Sequence, residues 1–356
     1  MTAKSHTEPQ LTQKELLVFL EQVALARPIF IWGPPGIGKT ALVEHFAQHL
    51  KLPCVSLLGS QINASDLLGI PQITDGTYRY CPPRYIARDE PYCLFLDELN
   101  ACSHDVQKAL YSLVHEKRIG EYVLPPGSVI IGAGNRLDDG ALALPMSSAL
   151  LNRMIHVHLV ASAQDWLEWA EKEKLHMLVL QSIRRNPSHL WTSIITNDTP
   201  FSTPRAWHLL SDALKRYESD IPDKFLKILA YGCLSPEHAA QFLIEVRTQR
   251  SAVMFQAILA GNQVWPHKLE DRELLSFLAD AFYAHLVKVL PSTKAALIGH
   301  QEDDALQCTR LFKKLADIDL KIAHSILSKK TENVPQWFSE AMYKDIPQLG
   351  SSEEES

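Results

Sequence analysis

The sequence lacks most of the devices that stabilise or anchor a chain from outside. Its six cysteines, Cys54, Cys81, Cys93, Cys102, Cys233 and Cys308, include no C-x-x-C pair. That speaks against a zinc knuckle or a disulfide framework and leaves reduced, mostly buried thiols as the expectation. No apolar run approaches the roughly 20 residues needed to span a bilayer, and the opening MTAKSHTEPQ is polar; no membrane anchor or secretion signal is expected, and the expected location is cytoplasmic. Positive charge is also in deficit, with Lys+Arg 35 against Asp+Glu 41 and a net charge of -6. A nucleic-acid partner held mainly through its phosphates does not suit that balance. No internal repeat is evident.

What is present is enough apolar material for a large core: 356 residues, 46% hydrophobic, the size of two or three domains. Up to about Val160, apolar runs at 28–32, 54–58, 92–96, 129–133 and 155–160 alternate with helical segments. Strands that are nearly all apolar and separated by helices predict a five-stranded parallel sheet covered by helices on both faces. From Ala161 the pattern turns helical, at 163–175, 204–217, 236–250, 271–290 and 303–329. The expected organisation is an α/β domain over 1–161, an all-α lid over 162–250 and a helical C-terminal extension over 251–356, ending in the acidic SSEEES, read as a solvated tail. Between the second and third strands, Asp75-Gly76 sits between Ile73 and Tyr78 as a β-hairpin turn requires.

The segment Gly33-Pro34-Pro35-Gly36-Ile37-Gly38-Lys39-Thr40 fits G-x-x-x-x-G-K-[ST] and lies between an expected strand and an expected helix. Its glycines let successive backbone N–H groups converge on an anion, and the helix start adds its positive end. Lys39 is then placed for the β- and γ-phosphates of ATP and Thr40 for Mg²⁺. Binding alone needs no more, but hydrolysis needs a metal-holding carboxylate and a group that aims water at the γ-phosphate. In CLFLDELN, Asp97 at the carboxyl end of a buried strand suits the first role and Glu98 the second. A buried strand gains nothing from adjacent acids, which argues against a purely structural role.

The order GPPGIGKT, LFLDELN, IIGAGNR, ALLNRM and STPRA resembles that of an AAA+ ATPase, and within that superfamily is similar to the MoxR-type branch grouped with dynein-related modules. The resemblance covers roughly residues 15–215. It implies that Asn135 is sensor 1, positioning water beside Glu98; that Arg153 is an arginine finger entering a neighbouring subunit, with Arg136 as the rival candidate; and that Arg205 is sensor 2, reporting the γ-phosphate to the lid. It further implies a homo-oligomeric ring of hexameric size, a protein client, and a von Willebrand factor A-type adaptor. The branch's two inserts correspond to residues 66–86 and to KRIGEYVLPPGSVI, making Tyr78, Tyr80, Tyr85 and Tyr122 candidate partner contacts beside their alternative as cross-strand packing pairs. The long helical stretch after EVRTQR departs from the family pattern.

Two patterns are set aside. His45 and His49 lie four apart, but Glu44 precedes rather than follows His45, so H-E-x-x-H is not matched. Trp166, Trp169, Trp191 and Trp207 read as helix packing in or near the lid. The function expected is Mg²⁺-dependent ATP hydrolysis driving chaperone-like remodelling, maturation or activation of a protein. A nucleotide-gated binding module or effector is the alternative, and a small-molecule P-loop kinase a further one.

Overall fold

The computed structural model describes residues 9–136, 145–192, 199–217, 221–267, 272–329 and 334–350. The acidic SSEEES lies outside them. Contacts divide the chain into two units, residues 1–239 and 240–356; the boundaries expected from composition, at 161 and 250, lie on either side of that single division.

The first unit runs β1 (Gln10–Leu11), α1 (Gln13–Val23), β2 (Ile29–Trp32), α2 (Lys39–His49), β3 (Cys54–Leu58), α3 (Ala64–Leu68), β4 (Ile70–Thr74), β5 (Thr77–Cys81), β6 (Cys93–Asp97), α4 (His104–Glu116), β7 (Arg118–Ile119), β8 (Tyr122–Val123), β9 (Val129–Gly134), α5 (Ser148–Leu151) and β10 (Ile155–Leu159). The helices α6 (Ala163–Lys172), α7 (Met177–Arg185), α8 (Pro204–Leu214) and α9 (Asp223–Cys233) follow, and α10 (Pro236–Leu259) contains the division between units.

The central sheet has the order β1-β10-β2-β9-β6-β3, with every pairing parallel. Five strands are those expected; the sixth, β1, pairs Gln10 with His158 and Leu11 with Leu159 at the edge. Two residues make no apolar run, so the pattern that reveals the others is silent about it. Alternation along the strands fills both faces. Ile29, Ile31, Phe95, Ile131 and Val157 pack with Leu16 and Leu20 of α1 and Val43 and Phe46 of α2. Phe30, Leu94, Leu96 and Ile130 point the other way, onto Leu99 and onto Val106, Leu110 and Leu113 of α4. Burial on two faces is what keeps these strands apolar throughout.

The expected hairpin is present as β4 and β5, with Ile73 opposite Tyr78 and Thr74 opposite Thr77. A second one, β7 with β8, pairs Ile119 with Tyr122. Farther along, Trp166 and Trp207 are buried, while Trp169 is exposed and T-stacked on His208 at 5.2 Å. Of the cysteines, Cys93, Cys102 and Cys308 are buried and the other three partly so.

The second unit contains α11 (Arg272–Val289), α12 (His300–Ile318), α13 (Leu320–Ser328) and α14 (Gln336–Asp345). Its core strings aromatic rings together, Trp265 and Phe282 beside Phe255, then Phe312 and Phe338, at centroid spacings of 5.5–6.5 Å. The helix expected over 303–329 is two helices, because the Asp319 carboxylate accepts the Ile322 N–H at 3.0 Å and starts a new one. Helices α7, α9 and α14 escaped the sequence reading, being short and adjoining prolines or loops. Among the described residues no helix is long and apolar enough to cross a membrane.

Candidate active site

Strands β2, β9 and β6 are neighbours in the sheet, so their carboxyl ends bring three chain segments together, where open α/β sheets bind ligands. After β2 comes the loop Gly33 to Gly38, then α2, whose N-cap residue Gly38 has φ 104° and makes no side-chain cap bond. A helix that begins directly after such a loop brings its first N–H groups to it, the arrangement suited to phosphate. Gln13 of α1 braces the loop by donating to the Ile37 carbonyl at 3.0 Å.

Lys39 is 8% exposed, and its Nζ donates to the Gly33 carbonyl, to the Pro34 carbonyl at 3.1 Å and to Asn135 Oδ1 at 2.8 Å. A buried ammonium needs such oxygen partners. Thr40 Oγ1 donates to Asp97 Oδ2 at 2.8 Å. Hydroxyl and carboxylate oxygen side by side are the hard donors that Mg²⁺ takes, so the residues present fit that ion. The fold thus gathers Lys39, Thr40, Asp97 and Asn135 from three segments.

Glu98 adjoins this group. Its backbone is left-handed, φ 51° and ψ 37°, which is costly for a residue with a side chain. Its N–H donates to Asp97 Oδ1 at 3.0 Å, and its Oε2 accepts from Ser60 Oγ at 2.8 Å. Beneath the same turn, burial pushes the Cys102 thiol up to about 11, keeping it protonated and unreactive.

Two positions not among the expected site residues hold the arrangement in place. Asn100, 3% exposed, donates through Nδ2 to the Asn135 carbonyl at 2.7 Å. Gly134 leaves it room: a Cβ there would lie 2.2 Å from Asn100 Oδ1. Thr203 caps α8 by accepting the Ala206 N–H at 3.1 Å, and its side chain rests against Gly36, whose φ of +82° and closeness to Thr203 both disfavour a larger residue. Asn100 lies two residues past the acidic pair and could have been suspected on that ground. Ser60 carries no local signal, whereas Thr203 stands in STPRA directly before Pro204, as a helix N-cap does.

The side chains of the three candidate arginines sit apart from the contacts that join Lys39, Thr40, Asp97 and Asn135. Arg205 touches the loop through its backbone, its N–H donating to the Gly36 carbonyl at 3.2 Å, while its side chain is exposed. Arg153 donates from Nη1 to the Ala149 carbonyl at 2.9 Å and lies over the Tyr111 ring. Its rival Arg136 meets His158, Nη2 to Nδ1 at 2.7 Å.

Residues 28–154 match the AAA domain of the dynein-related subfamily. That match takes in about a third of the chain. The AAA+ resemblance read from the motifs is therefore borne out. The chain is similar to midasin of Giardia intestinalis, 31% identical over 153 residues, 40% of this chain and 3% of midasin. It is similar to the denitrification regulatory protein NirQ of Pseudomonas aeruginosa, 32% identical over 111 residues, 31% of this chain and 43% of that one. It also matches protein NorQ of Paracoccus denitrificans, 29% identical over 131 residues, 34% of this chain and 48% of that one. The chain thus spans less than half the length of each of these curated relatives. A remote structural likeness is to the Thermotoga maritima RuvB Holliday junction branch migration motor, TM-score 0.38 at 16% identity, covering 69% of this chain and 74% of that one.

Proposed function

We propose that this protein is an ATPase of the MoxR-type branch that hydrolyses ATP in a ring oligomer of hexameric size and spends the cycle on remodelling or activating a protein client in the cytoplasm. The observation that carries the reading is the meeting of Lys39, Thr40, Asp97 and Asn135 at the ends of three adjacent strands, with Glu98 held beside them. Gly33, Pro34, Pro35, Gly36, Ile37 and Gly38 form the phosphate loop. Thr40 and Asp97 would hold Mg²⁺, which supplies charge neutralisation for the transferring phosphoryl group. Glu98 takes the proton of the attacking water, Asn135 orients that water, and Arg205 links the phosphate to the lid. Arg153 enters the neighbouring subunit's site, where a trans finger in related chemistry is worth about 10³ to 10⁵ in rate.

The client side of the reading rests on the hairpins. Ile70 and Ile73 are 77% and 80% exposed and Tyr78 is 65% exposed, an apolar surface that a monomer rarely leaves bare. Tyr78 and Tyr80 pack edge to face at 5.8 Å, Tyr85 is exposed, and Tyr122 is engaged with the Arg88 backbone. A client in the class of proteins that need assembly or maturation, with a von Willebrand factor A-type adaptor as the expected intermediary, is what the MoxR-type resemblance implies.

The test is affinity capture with Glu98→Gln, which is expected to bind ATP without turning it over and so to retain a client that the wild type releases. Equal recovery from both proteins refutes remodelling. Mixing Arg153→Ala into wild-type protein is expected to poison turnover beyond simple dilution; strictly proportional loss refutes the trans finger.

A further inference from the structure

We propose that Tyr111 is a positioning residue that stores the Arg153 guanidinium on its own subunit until an assembled neighbour draws it away. The inference rests on the reading of Arg153 as the trans finger. The guanidinium carbon lies 4.2 Å from the centroid of the Tyr111 ring, well inside cation–π range. Tyr111 is presented by α4, half-buried, with its ring 5.9 Å from that of His115. The only hydrogen bond Arg153 makes through its side chain among the described residues is from Nη1 to the Ala149 carbonyl, and its buried Nε has no partner.

A guanidinium offers five N–H donors in a fixed fork. One carbonyl and a ring face satisfy a minority of them, so this pose is a resting place that a bidentate anion outcompetes. The backbone below it is held: the Arg153 N–H donates to the Leu150 carbonyl at 3.0 Å, and His156 Nε2 bonds the Leu151 carbonyl at 2.8 Å. That His156 nitrogen carries the proton, because Nδ1 accepts from Trp32 Nε1 at 3.0 Å. Release is therefore a rotation of the Arg153 side chain off the ring, with its segment staying in place.

The test is arginine labelling of the full chain with phenylglyoxal, read peptide by peptide by mass spectrometry at a concentration where the protein is monomeric. In the wild type, Arg153 is expected to react more slowly than the exposed Arg205. Tyr111→Leu and Tyr111→Gln, both good helix formers, are each expected to speed Arg153 labelling about 2- to 30-fold, the equilibrium equivalent of one cation–π contact, and to leave Arg205 unchanged. Tyr111→Phe keeps the ring face and is expected to label as the wild type does. Unchanged Arg153 labelling in both variants, or equal acceleration in Tyr111→Phe, overturns the storage role. So does a protein concentration for half-maximal ATP turnover that fails to drop in Tyr111→Leu. Full turnover in Arg153→Ala instead removes the finger reading and leaves the labelling result standing, so the two failures are told apart.

Discussion

Gly134→Ala tests the construction of the site most directly, because the added methyl meets a single well-defined obstacle. At position 134 a Cβ would lie 2.2 Å from Asn100 Oδ1 and 2.8 Å from Phe30 Cζ. The backbone there is not left-handed, so the penalty is steric alone. Asn100 must swing aside, which breaks its 2.7 Å bond and leaves the Asn135 carbonyl buried without its donor; an unsatisfied buried group costs about 1–3 kcal/mol. Crowding Phe30 in a filled core adds a further ~1–3 kcal/mol. The expected loss of stability in the sheet unit is therefore about 2–6 kcal/mol, measured by urea denaturation with hydrogen exchange resolved on peptides from β9. Asn135 also accepts from Lys39, so ATP turnover is expected to drop in the same variant. The control is Gly232→Ala in α9, where nothing lies within 4 Å and a gain of up to ~1 kcal/mol is expected from helix propensity. Asn100→Ala combined with Gly134→Ala should be less damaging than the sum of the two, since one removes the other's obstacle. A Gly134→Ala protein within about 1 kcal/mol of wild type, in the range of ordinary surface substitutions, would refute this account of why that position is bare.

Three further outcomes follow from the same geometry. Thr203→Val keeps the shape beside Gly36 but removes the acceptor for the Ala206 N–H; α8 should lose about 1 kcal/mol and ATP affinity should weaken, read by hydrogen exchange on the 203–207 peptide and by nucleotide titration. Phe312→Ala opens the aromatic chain of the second unit and should cost that unit about 3–5 kcal/mol in urea denaturation. Burial holds His176, His238 and His285 below their ordinary value of 6.5, so folding favours their neutral forms. The stability this gives is fully present above pH 6.5 and declines as pH drops below it, where the unfolded chain binds protons first. Denaturation midpoints should therefore fall between pH 7.5 and 5.5, and His238→Gln should flatten the decline.

Much of the fold was legible because burial on both faces forces apolar runs, and those runs locate β2, β3, β6, β9 and β10 to within a residue or two of their observed ends. What stayed hidden has the opposite character. Strand β1 belongs to the sheet through two edge residues whose side chains carry no pattern. The break between α12 and α13 depends on one carboxylate choosing a backbone N–H, and an Asp within an otherwise helical run reads equally well as a surface residue.

The site divides along the same line. Lys39, Thr40 and Asp97 announce themselves because phosphate and metal chemistry dictates residue type at fixed spacing along the chain. Ser60 and Asn100 do not, because each acts on a partner 38 or 35 residues away and its requirement is only a donor at the right place in space. Glu98 lies between the two cases. Its identity was readable beside Asp97, whereas its left-handed backbone was not, since nothing in a sequence marks a glutamate for φ 51°. That conformation turns the carboxylate to meet Ser60 across from β6, and a strained backbone of this kind persists only where its surroundings over-determine it. Here they do so from both sides, through the Asp97 carboxylate at the Glu98 N–H and the Ser60 hydroxyl at its side chain. The group proposed to handle the attacking water is thus one that the fold holds against its own backbone preference.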